Sequence, residues 1–312
     1  MLQKSHCLIL IFLALFTQPT NSQTLKNLAG EYKNGLYIYE DGTFIAGGIH
    51  AIVFGTVELN NNIVLFKKHL PKHKFALYGR KDNSRSLGNT IMFEGFEHNG
   101  LVNLYEKNTP LQVMQRVFNV GANCFSWPFF YDNKENSNKI YFADENDTKL
   151  YLFEIPEGYK DFVAFRFDLD EDPYTIEELY GQVSNDFNSI TFYNSNEKII
   201  KKPLSKEALE VKNLIATMYD RAYPEGEYYY CNPAYNIFEE EGIDIKNYKE
   251  IGSNGEGVFQ LIGSEFQAKG DRLESDFHEE AIIYQYKKIT PEIIDITEFS
   301  IIEQSIFTFK CD

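Results

Sequence analysis

The abundance of aromatic and β-branched residues constrains the fold of this chain most strongly. It contains 26 Phe, 21 Tyr and one Trp, and these residues, together with many Ile and Val, recur in short runs separated by turn-forming residues. Such side chains suit the pleated, half-buried surface of a β-sheet. Short strands with turns at roughly eight- to twelve-residue intervals are typical of meanders, barrels and sandwiches. The sequence therefore predicts a mainly β protein.

Two turn sequences predict hairpins in the N-terminal part of the chain. Asp41-Gly42 lies between the runs Leu36–Glu40 and Thr43–Ile45, and Asp-Gly tolerates the positive φ angles of a two-residue type I′ turn. Asn60–Asn62 separates the next two apolar runs in the same way. We therefore expect successive antiparallel strands here.

Residues 30–65 combine glycines, hairpins and apolar strand positions in a characteristic order. The positions are Gly30-Glu31-Tyr32, Leu36, Ile38, Asp41-Gly42-Thr43-Phe44, Gly55, Val57, Leu59, Ile63 and Leu65. This order resembles the opening hairpins of small lipocalin-like β domains in bacterial exported proteins, with Val57 where such domains often carry Trp. The resemblance implies a meandering, barrel-like N-terminal part that holds an apolar ligand. It carries over no functional residue.

The strand pattern is interrupted after Pro203 by a predicted helix. Ser205 is a suitable N-cap, and Glu207 lies in the first turn, where the helix dipole favours an acid. Apolar residues then recur at helical spacing at Ala208, Val211, Ile215, Met218 and Ala222. The pattern predicts one amphipathic helix over about residues 205–221.

Four later apolar runs predict strands that form a C-terminal sheet against this helix. They are Val258–Ile262, Ala281–Lys287, Ile293–Phe299 and Ser305–Phe309. We therefore predict a β-rich domain over residues 23–202 and a smaller α+β domain over residues 203–312, with the helix packed on the C-terminal sheet. The alternative is a helix inserted into one continuous β fold.

The N-terminus predicts export. Lys4 and His6 precede the apolar run Leu8–Phe16, and polar residues follow as far as Ser22, which is the pattern of a secretory signal peptide over residues 1–22. The alternative is a retained anchor, but the run is shorter than the roughly 20 apolar residues that a spanning helix needs. We expect an exported protein, periplasmic or extracellular, with no transmembrane segment in the mature chain.

The net charge of -16 restricts the partners. Nucleic acids and anionic membranes are bound mainly by Lys and Arg, which neutralise phosphates, so a strongly acidic protein is disfavoured as their partner. We expect a small molecule, a glycan or an envelope protein as the partner instead.

Cysteine usage allows at most one disulfide in the mature chain. Removal of the leader takes away Cys7 and leaves Cys124, Cys231 and Cys311. Our preferred pairing is Cys231 with Cys311, because a bridge at the penultimate residue would hold a terminus that otherwise frays. Three buried, unpaired thiols are the alternative.

Two patterns of potential metal ligands are incomplete. Asp168, Asp170 and Asp172 alternate as in a calcium loop, but Pro173 and Leu179 occupy the positions where such a loop has Gly and a bidentate Glu. The three aspartates therefore form either an irregular calcium site or an exposed acidic loop.

The other pattern is a pair of histidines, His69 and His73, at helical spacing. Pro71 lies between them and disfavours the helix that would direct both toward one metal. A solvated loop is the preferred interpretation, and no pattern in the sequence predicts a cofactor.

Two aromatic segments are the candidate ligand-binding sites. In the first, Trp127, Phe129 and Tyr131 are close in sequence, and in the second Tyr228 and Tyr230 flank a third tyrosine. Aromatic rings on a β surface can stack on the apolar face of a sugar or line an apolar pocket. The alternative for the first segment is core packing. In the second segment, alternation along a strand should leave at least one ring exposed or at an interface, and the alternative to ligand binding is a contact with the first domain.

No sequence motif identifies a catalytic nucleophile or its base. We therefore predict an exported, non-enzymatic β-rich protein that binds a small apolar or carbohydrate ligand or an envelope partner. One alternative is an extracellular hydrolase that, like a glycosidase, depends on a pair of carboxylates distant in sequence. The other is a structural or interaction protein of the cell envelope.

Overall fold

The protein is described by a computed structural model that is mainly β, as predicted. The described residues are 21–47, 52–97, 99–104, 113–121, 128–167, 179–236, 243–252, 255–265, 278–296, 298 and 300–310. None of the helices in these ranges is long and apolar enough to cross a membrane. The predicted signal sequence lies almost wholly outside them, so its cleavage near Ser22 stays a prediction.

The elements are numbered along the chain. The α-helices are α1 (Asn21–Leu28) and α2 (Lys206–Ala222), and short 3-10 helices cover Lys33–Gly35 and Ile245–Asn247. The strands are β1 (Gly30–Tyr32), β2 (Leu36–Ile38), β3 (Thr43–Gly47), β4 (Ile52–Asn60), β5 (Ile63–Lys68), β6 (Phe75–Lys81), β7 (Asn89–Glu94), β8 (Gly100–Asn103), β9 (Val113–Arg116), β10 (Phe129–Asn133), β11 (Lys139–Asp144), β12 (Lys149–Glu154), β13 (Tyr159–Arg166), β14 (Leu179–Val183), β15 (Ser189–Phe192), β16 (Lys198–Ile200), β17 (Tyr228–Cys231), β18 (Tyr248–Glu250), β19 (Val258–Leu261), β20 (Ile282–Ile289), β21 (Glu292–Asp295) and β22 (Ser300–Ile302).

The chain folds into two compact units, each built from two separate segments. The first unit comprises residues 1–70 and 172–220, and the second comprises residues 71–171 and 221–312. This division differs from the predicted boundary at residue 203, which falls inside the first unit. The difference arises because the chain leaves the first unit after one set of strands and returns to it later.

The first unit contains a barrel-like sheet. Its strands run in the order β1-β2-β3-β4-β5-β14-β15-β16, and backbone hydrogen bonds between Glu31 and Lys202, at 2.9 and 2.7 Å, join the two ends. Apolar side chains fill the interior, including Phe44 and Phe66, whose rings pack edge to face at 5.0 Å. Leu28 of α1 is fully buried in the same cluster. Closure leaves fewer unpaired strand edges in this unit.

The two predicted hairpins both form, but only one has the predicted turn. Asn61 and Asn62 have φ angles of 49° and 67° between paired residues Asn60 and Ile63, as a two-residue type I′ turn requires. The loop before β3 is longer than predicted. Its only residue with positive φ is Gly42, at 83°, and pairing resumes with Ile38 opposite Phe44.

Helix α2 packs on the outside of this barrel-like sheet and not on a C-terminal sheet. Ala208 and Ile215 are buried, and Ile215 contacts Tyr39 and Ile45. The hydroxyl of Tyr39 donates a hydrogen bond to the carbonyl oxygen of Ala208 at 2.9 Å. Val211 and Met218, which we expected on the packed side, are 39% and 50% exposed because the sheet covers only part of the apolar arc. The predicted helix is confirmed, whereas its predicted packing is wrong.

The second unit is a sandwich of two sheets. One sheet has the order β10-β7-β13-β6-β20-β19-β18, with β17 paired to β20, and the other has the order β21-β12-β11-β8-β9-β22. Between them lies a core rich in phenylalanine, which includes Phe75, Phe93, Phe142 and Phe153. Stacked sheets bury alternate residues of each strand in this way.

The C-terminal strands complete this sandwich and do not form a sheet of their own. β21 pairs with β12, and β22 pairs in parallel with β9. The predicted strand Ser305–Phe309 is wrong, because this stretch contributes only an isolated bridge between Phe307 and Phe118. Its aromatic rings instead extend the core, as in the stack of Phe309 on Phe118 at 6.0 Å. Apolar alternation therefore marked a segment that is half-buried against the core but is not a strand.

The N-terminus of α2 leads to a prediction about stability and pH. The Ser205 hydroxyl oxygen accepts the N–H of Ala208 at 3.1 Å, and the Ser205 N–H donates to the Glu31 carboxylate at 2.7 Å. Hydrogen bonds from the Ser205 side chain and backbone lower the pKa of Glu31. We expect Ser205→Ala to lower the free energy of unfolding by about 1 kcal/mol.

The contribution of Glu31 to the free energy of unfolding should be present above the pKa of an unfolded glutamate, about 4.3. It should be lost as the pH falls through the lower pKa that Glu31 has in the folded protein. Urea denaturation at several pH values, followed by circular dichroism, measures this dependence. Glu31→Gln should be less stable than the wild type near neutral pH and approach it in acid. A constant difference across the pH range would contradict the assignment.

Candidate functional site

The second aromatic segment forms a strand whose side chains alternate between surface and core. Tyr228 of β17 lies opposite Lys287 of β20, and Tyr230 lies opposite Gln285. Because facing residues of an antiparallel pair project from the same side, these four side chains share one surface. We call this group of Tyr228, Tyr230, Gln285 and Lys287 the tyrosine face.

The polar groups of the tyrosine face hold its rings in place. The amide Nε2 of Gln285 donates to the Tyr230 hydroxyl oxygen at 2.6 Å. A hydrogen bond to Glu227 and the charge of that carboxylate raise the pKa of Tyr228, and the Glu227 carboxylate also lies 3.6 Å from the Lys287 ammonium. Tyr228 is 41% exposed, whereas Tyr230 is half-buried. The Tyr228 ring is thus accessible and the Tyr230 ring partly so, and hydrogen bonds restrict both rings at their hydroxyl groups.

The neighbouring strand extends the same surface. Phe259 of β19 lies opposite Ile283 of β20, and residues 283, 285 and 287 share one side of a strand because side chains alternate. Phe259 is half-buried and Ile283 is fully buried. The surface therefore passes from exposed Tyr228 to packed apolar residues.

The opposite side of β17 and β20 is core. Tyr229, Cys231 and Tyr286 are 5%, 0% and 0% exposed. The expectation that alternation would leave at least one ring of this segment exposed is thereby confirmed, since Tyr228 is accessible while Tyr229 is buried. The predicted partner of Cys231, Cys311, lies outside the described residues, so the disulfide stays a prediction.

A buried ion pair contacts the core side of β20. The Asp161 carboxylate accepts hydrogen bonds from Arg80 Nε at 2.7 Å, from the Tyr286 hydroxyl at 3.1 Å and from the Tyr235 hydroxyl at 3.4 Å. The Arg80 guanidinium also lies 3.8 Å from the centre of the Tyr284 ring. Fully satisfied polar groups of this kind make a region rigid. The strand that presents Gln285 and Lys287 is therefore held in one position.

The first aromatic segment does not join the tyrosine face. Phe129 is only 5% exposed, with its ring 4.9 Å from that of Phe118, so it belongs to the sandwich core. Tyr131 is half-buried against the same core, and Trp127 lies outside the described residues. Four strand steps separate β10 from β20 in the sheet order, which corresponds to about 19 Å at roughly 4.8 Å per step.

The candidate metal ligands gain no support. Asp168, Asp170 and Asp172 lie outside the described residues, so the calcium reading stays untested. Within the part of the chain that the structure describes, no group of three or more His, Cys, Asp or Glu side chains is arranged to hold a metal ion. His69 and His73 belong to different units.

Sequence reasoning missed Gln285, Lys287 and Glu227. The run Ala281–Lys287 was predicted as a strand, so its alternation indicated that Gln285 and Lys287 project from the same side. Which strand pairs with it was not apparent, because β17 and β20 are far apart in sequence. The missing information was the partner and the register.

A second exposed tyrosine pair lies in the first unit and was also missed. Tyr180 and Tyr193 are 40% and 44% exposed, and their ring centres are 5.3 Å apart. Because these rings pack against each other, each covers part of the other's face. The pair offers a matched control for experiments on the tyrosine face.

Comparison of the chain with protein-family models, with curated proteins and with solved structures finds no match.

Proposed function

We propose that this protein binds a carbohydrate through the tyrosine face. The observation that carries the proposal is the 41% exposure of Tyr228 beside Tyr230, whose hydroxyl accepts a hydrogen bond from Gln285. An aromatic ring offers the apolar, slightly electronegative surface on which the C–H groups of a sugar ring pack. Amide and charged groups next to the ring can then orient the hydroxyl groups of the sugar.

Three polar groups of different chemistry surround the rings. Gln285 supplies an amide with both donor and acceptor atoms, Lys287 supplies donors, and Glu227 supplies acceptors. A sugar presents hydroxyl groups that both donate and accept, so this combination suits it better than a purely apolar ligand. Fixed rings also lose little conformational entropy when a ligand binds.

The proposed activity is binding and not catalysis. Among the described residues the two buried carboxylates are Asp144 and Asp161, and each is engaged by an arginine: Arg166 Nη2 lies 2.7 Å from Asp144, and Arg80 Nε lies 2.7 Å from Asp161. Such pairs serve the structure of the sandwich. An exported location, which the predicted signal peptide supports, would place the tyrosine face where extracellular or periplasmic glycans occur.

The proposal predicts that Tyr228→Ala weakens glycan binding at least about fivefold, because one stacked ring contributes roughly 1 kcal/mol beyond its buried area. A glycan array would identify a ligand, and isothermal titration calorimetry would measure the affinity of the wild type and of each variant. Tyr230→Ala should weaken binding similarly. Tyr180→Ala is the matched control, since it removes an equally exposed tyrosine from the other unit, and it should leave the affinity unchanged.

Two results would overturn the proposal. One is a glycan that binds with the same affinity to the wild type and to Tyr228→Ala. The other is turnover of a glycan or ester by the purified protein, which would favour the carboxylate-dependent hydrolase instead. A protein that binds no glycan on the array but leaves its native source with a retained apolar molecule, seen as a difference between native and denatured masses, would favour an apolar ligand.

A further inference from the structure

The turn between α2 and β17 is organised by a buried tyrosine. The Tyr78 hydroxyl is shared between the carbonyl oxygens of Pro224, at 2.8 Å, and Gly226, at 3.0 Å. Burial raises the pKa of Tyr78, so this hydroxyl remains a donor at neutral pH. Residue Glu225, between the two acceptors, is therefore held in a defined position.

Glu225 connects two chain segments that both carry lysine. Its carboxylate oxygen Oε1 accepts the backbone N–H of Lys72 at 2.9 Å, and its carbonyl oxygen accepts the ammonium of Lys288 at 3.0 Å. The Lys288 ammonium also lies 5.7 Å from the centre of the Tyr78 ring. Lys288 is half-buried, whereas the side chain of Lys72 is exposed.

His73 completes a cluster of three basic side chains with Lys72 and Lys288. Burial, and then the positive charges of Lys72 and Lys288, lower the pKa of His73. Burial also lowers the pKa of Lys288, and the charge of Lys72 adds to this effect, while Glu225 opposes it. Because the backbone of Lys72 and the ammonium of Lys288 both bond Glu225, and His73 follows Lys72 in the chain, the three basic residues converge on one part of the unit.

We propose that Lys72, His73 and Lys288 form a binding site for an oxyanion, the phosphate or sulfate group of a ligand. Ammonium and imidazolium groups donate short, charge-assisted hydrogen bonds to such oxygens. The protein has a net charge of -16, so this cluster is a local region of positive charge on an otherwise acidic protein. An oxyanion would replace the repulsion among the three basic groups by attraction to each of them.

The site is separate from the tyrosine face. Lys288 follows Lys287 in β20, and successive residues of a strand project from opposite sides. Lys287 therefore belongs to the tyrosine face, while Lys288 belongs to the side that packs over Tyr78. Failure of the glycan proposal would leave this inference standing, and the reverse also holds.

Binding is expected to depend on the protonation of His73. An anion favours the charged imidazolium, so a bound oxyanion should raise the pKa of His73, and the affinity should increase as the pH falls through that pKa. Three other groups among the described residues face the imidazole or its lysine neighbours. They are Glu225, the Tyr78 hydroxyl and the Tyr151 ring, whose centre lies 6.4 Å from that of His73.

Nuclear magnetic resonance of the full chain tests the inference. The His73 resonance, assigned by its loss in His73→Gln, is followed during titration with sodium phosphate and with sodium sulfate at constant ionic strength set by chloride. We expect a saturable shift and a raised pKa of His73. Lys288→Met should weaken binding about tenfold, because it removes one charged donor. Lys287→Met, the neighbour on the other side of the strand, should bind as the wild type does.

Lys72→Met keeps the test conclusive if Lys288→Met fails to fold, because the Lys72 side chain is exposed. It should also bind phosphate or sulfate more weakly than the wild type. The inference is overturned if His73 responds to phosphate and sulfate only as it does to chloride, or if Lys72→Met binds as tightly as the wild type. Tyr228→Ala should leave oxyanion binding unchanged, which separates this site from the glycan site.

Discussion

Asp161→Ala is expected to lower the free energy of unfolding by about 3–5 kcal/mol. Asp161 is 2% exposed, and its carboxylate accepts hydrogen bonds from Arg80, Tyr286 and Tyr235. Removal of the carboxylate leaves the Arg80 guanidinium, itself 8% exposed, as a buried charge without its anion. Urea denaturation followed by circular dichroism measures the loss.

A half-exposed ion pair of the same unit supplies the control. Asp132 pairs with Arg85 and Lys134, and the Asp132 and Arg85 side chains are 35% and 30% exposed. Asp132→Ala should cost less than about 1 kcal/mol, because water solvates the charges that remain. If Asp161→Ala and Asp132→Ala lowered the free energy of unfolding equally, burial would not be what makes the ion pair of Asp161 and Arg80 important for stability.

The second large effect is expected at the centre of the sandwich core. Phe142 is fully buried, with its ring centre 5.2 Å from that of Phe96, 5.3 Å from that of Phe153 and 5.7 Å from that of Phe75. Phe142→Ala should lower the free energy of unfolding by about 3–5 kcal/mol, since the lost ring leaves a cavity that close-packed neighbours fill only in part. Phe142→Leu should lower the free energy of unfolding by less, because leucine retains most of the side-chain volume.

Val120→Ala is the control for this substitution. Val120 is 79% exposed in the same unit, so its truncation should change the stability by no more than about 0.5 kcal/mol. The same denaturation measurements apply to all three variants. A small effect of Phe142→Ala, close to that of Val120→Ala, would contradict the assignment of these rings to one packed core.

Local sequence chemistry predicted those elements whose signals lie within a few residues. The paired asparagines Asn61 and Asn62 adopt the positive φ angles that a two-residue hairpin needs. The N-cap Ser205 accepts the N–H of Ala208, as its position before an amphipathic pattern indicated. In each case the determining contacts are between residues close in the chain, so the sequence already contains both partners.

Tertiary packing overrode the sequence prediction where the signals were ambiguous. Ser305–Phe309 alternates as a strand would, yet its rings pack against the sandwich core with only an isolated bridge at Phe307, because burial alone satisfies apolar side chains. Phe129 resembles a displayed ring in sequence, but it packs in the core at 4.9 Å from Phe118. Aromatic composition does not distinguish a displayed ring from a packed one.

The sequence by itself determined that this protein is mainly β, that one capped amphipathic helix interrupts the strands, and that the segment containing Tyr228 must present a ring away from the core. Only the tertiary structure decided that β17 pairs with β20, which places Gln285 beside Tyr230, and that Lys72 lies near Lys288. The physical reason is the range of the interactions. Alternation, turns and caps act between neighbouring residues, whereas strand pairing and charge clustering join residues that are distant in the chain, and their choice depends on how the whole core packs.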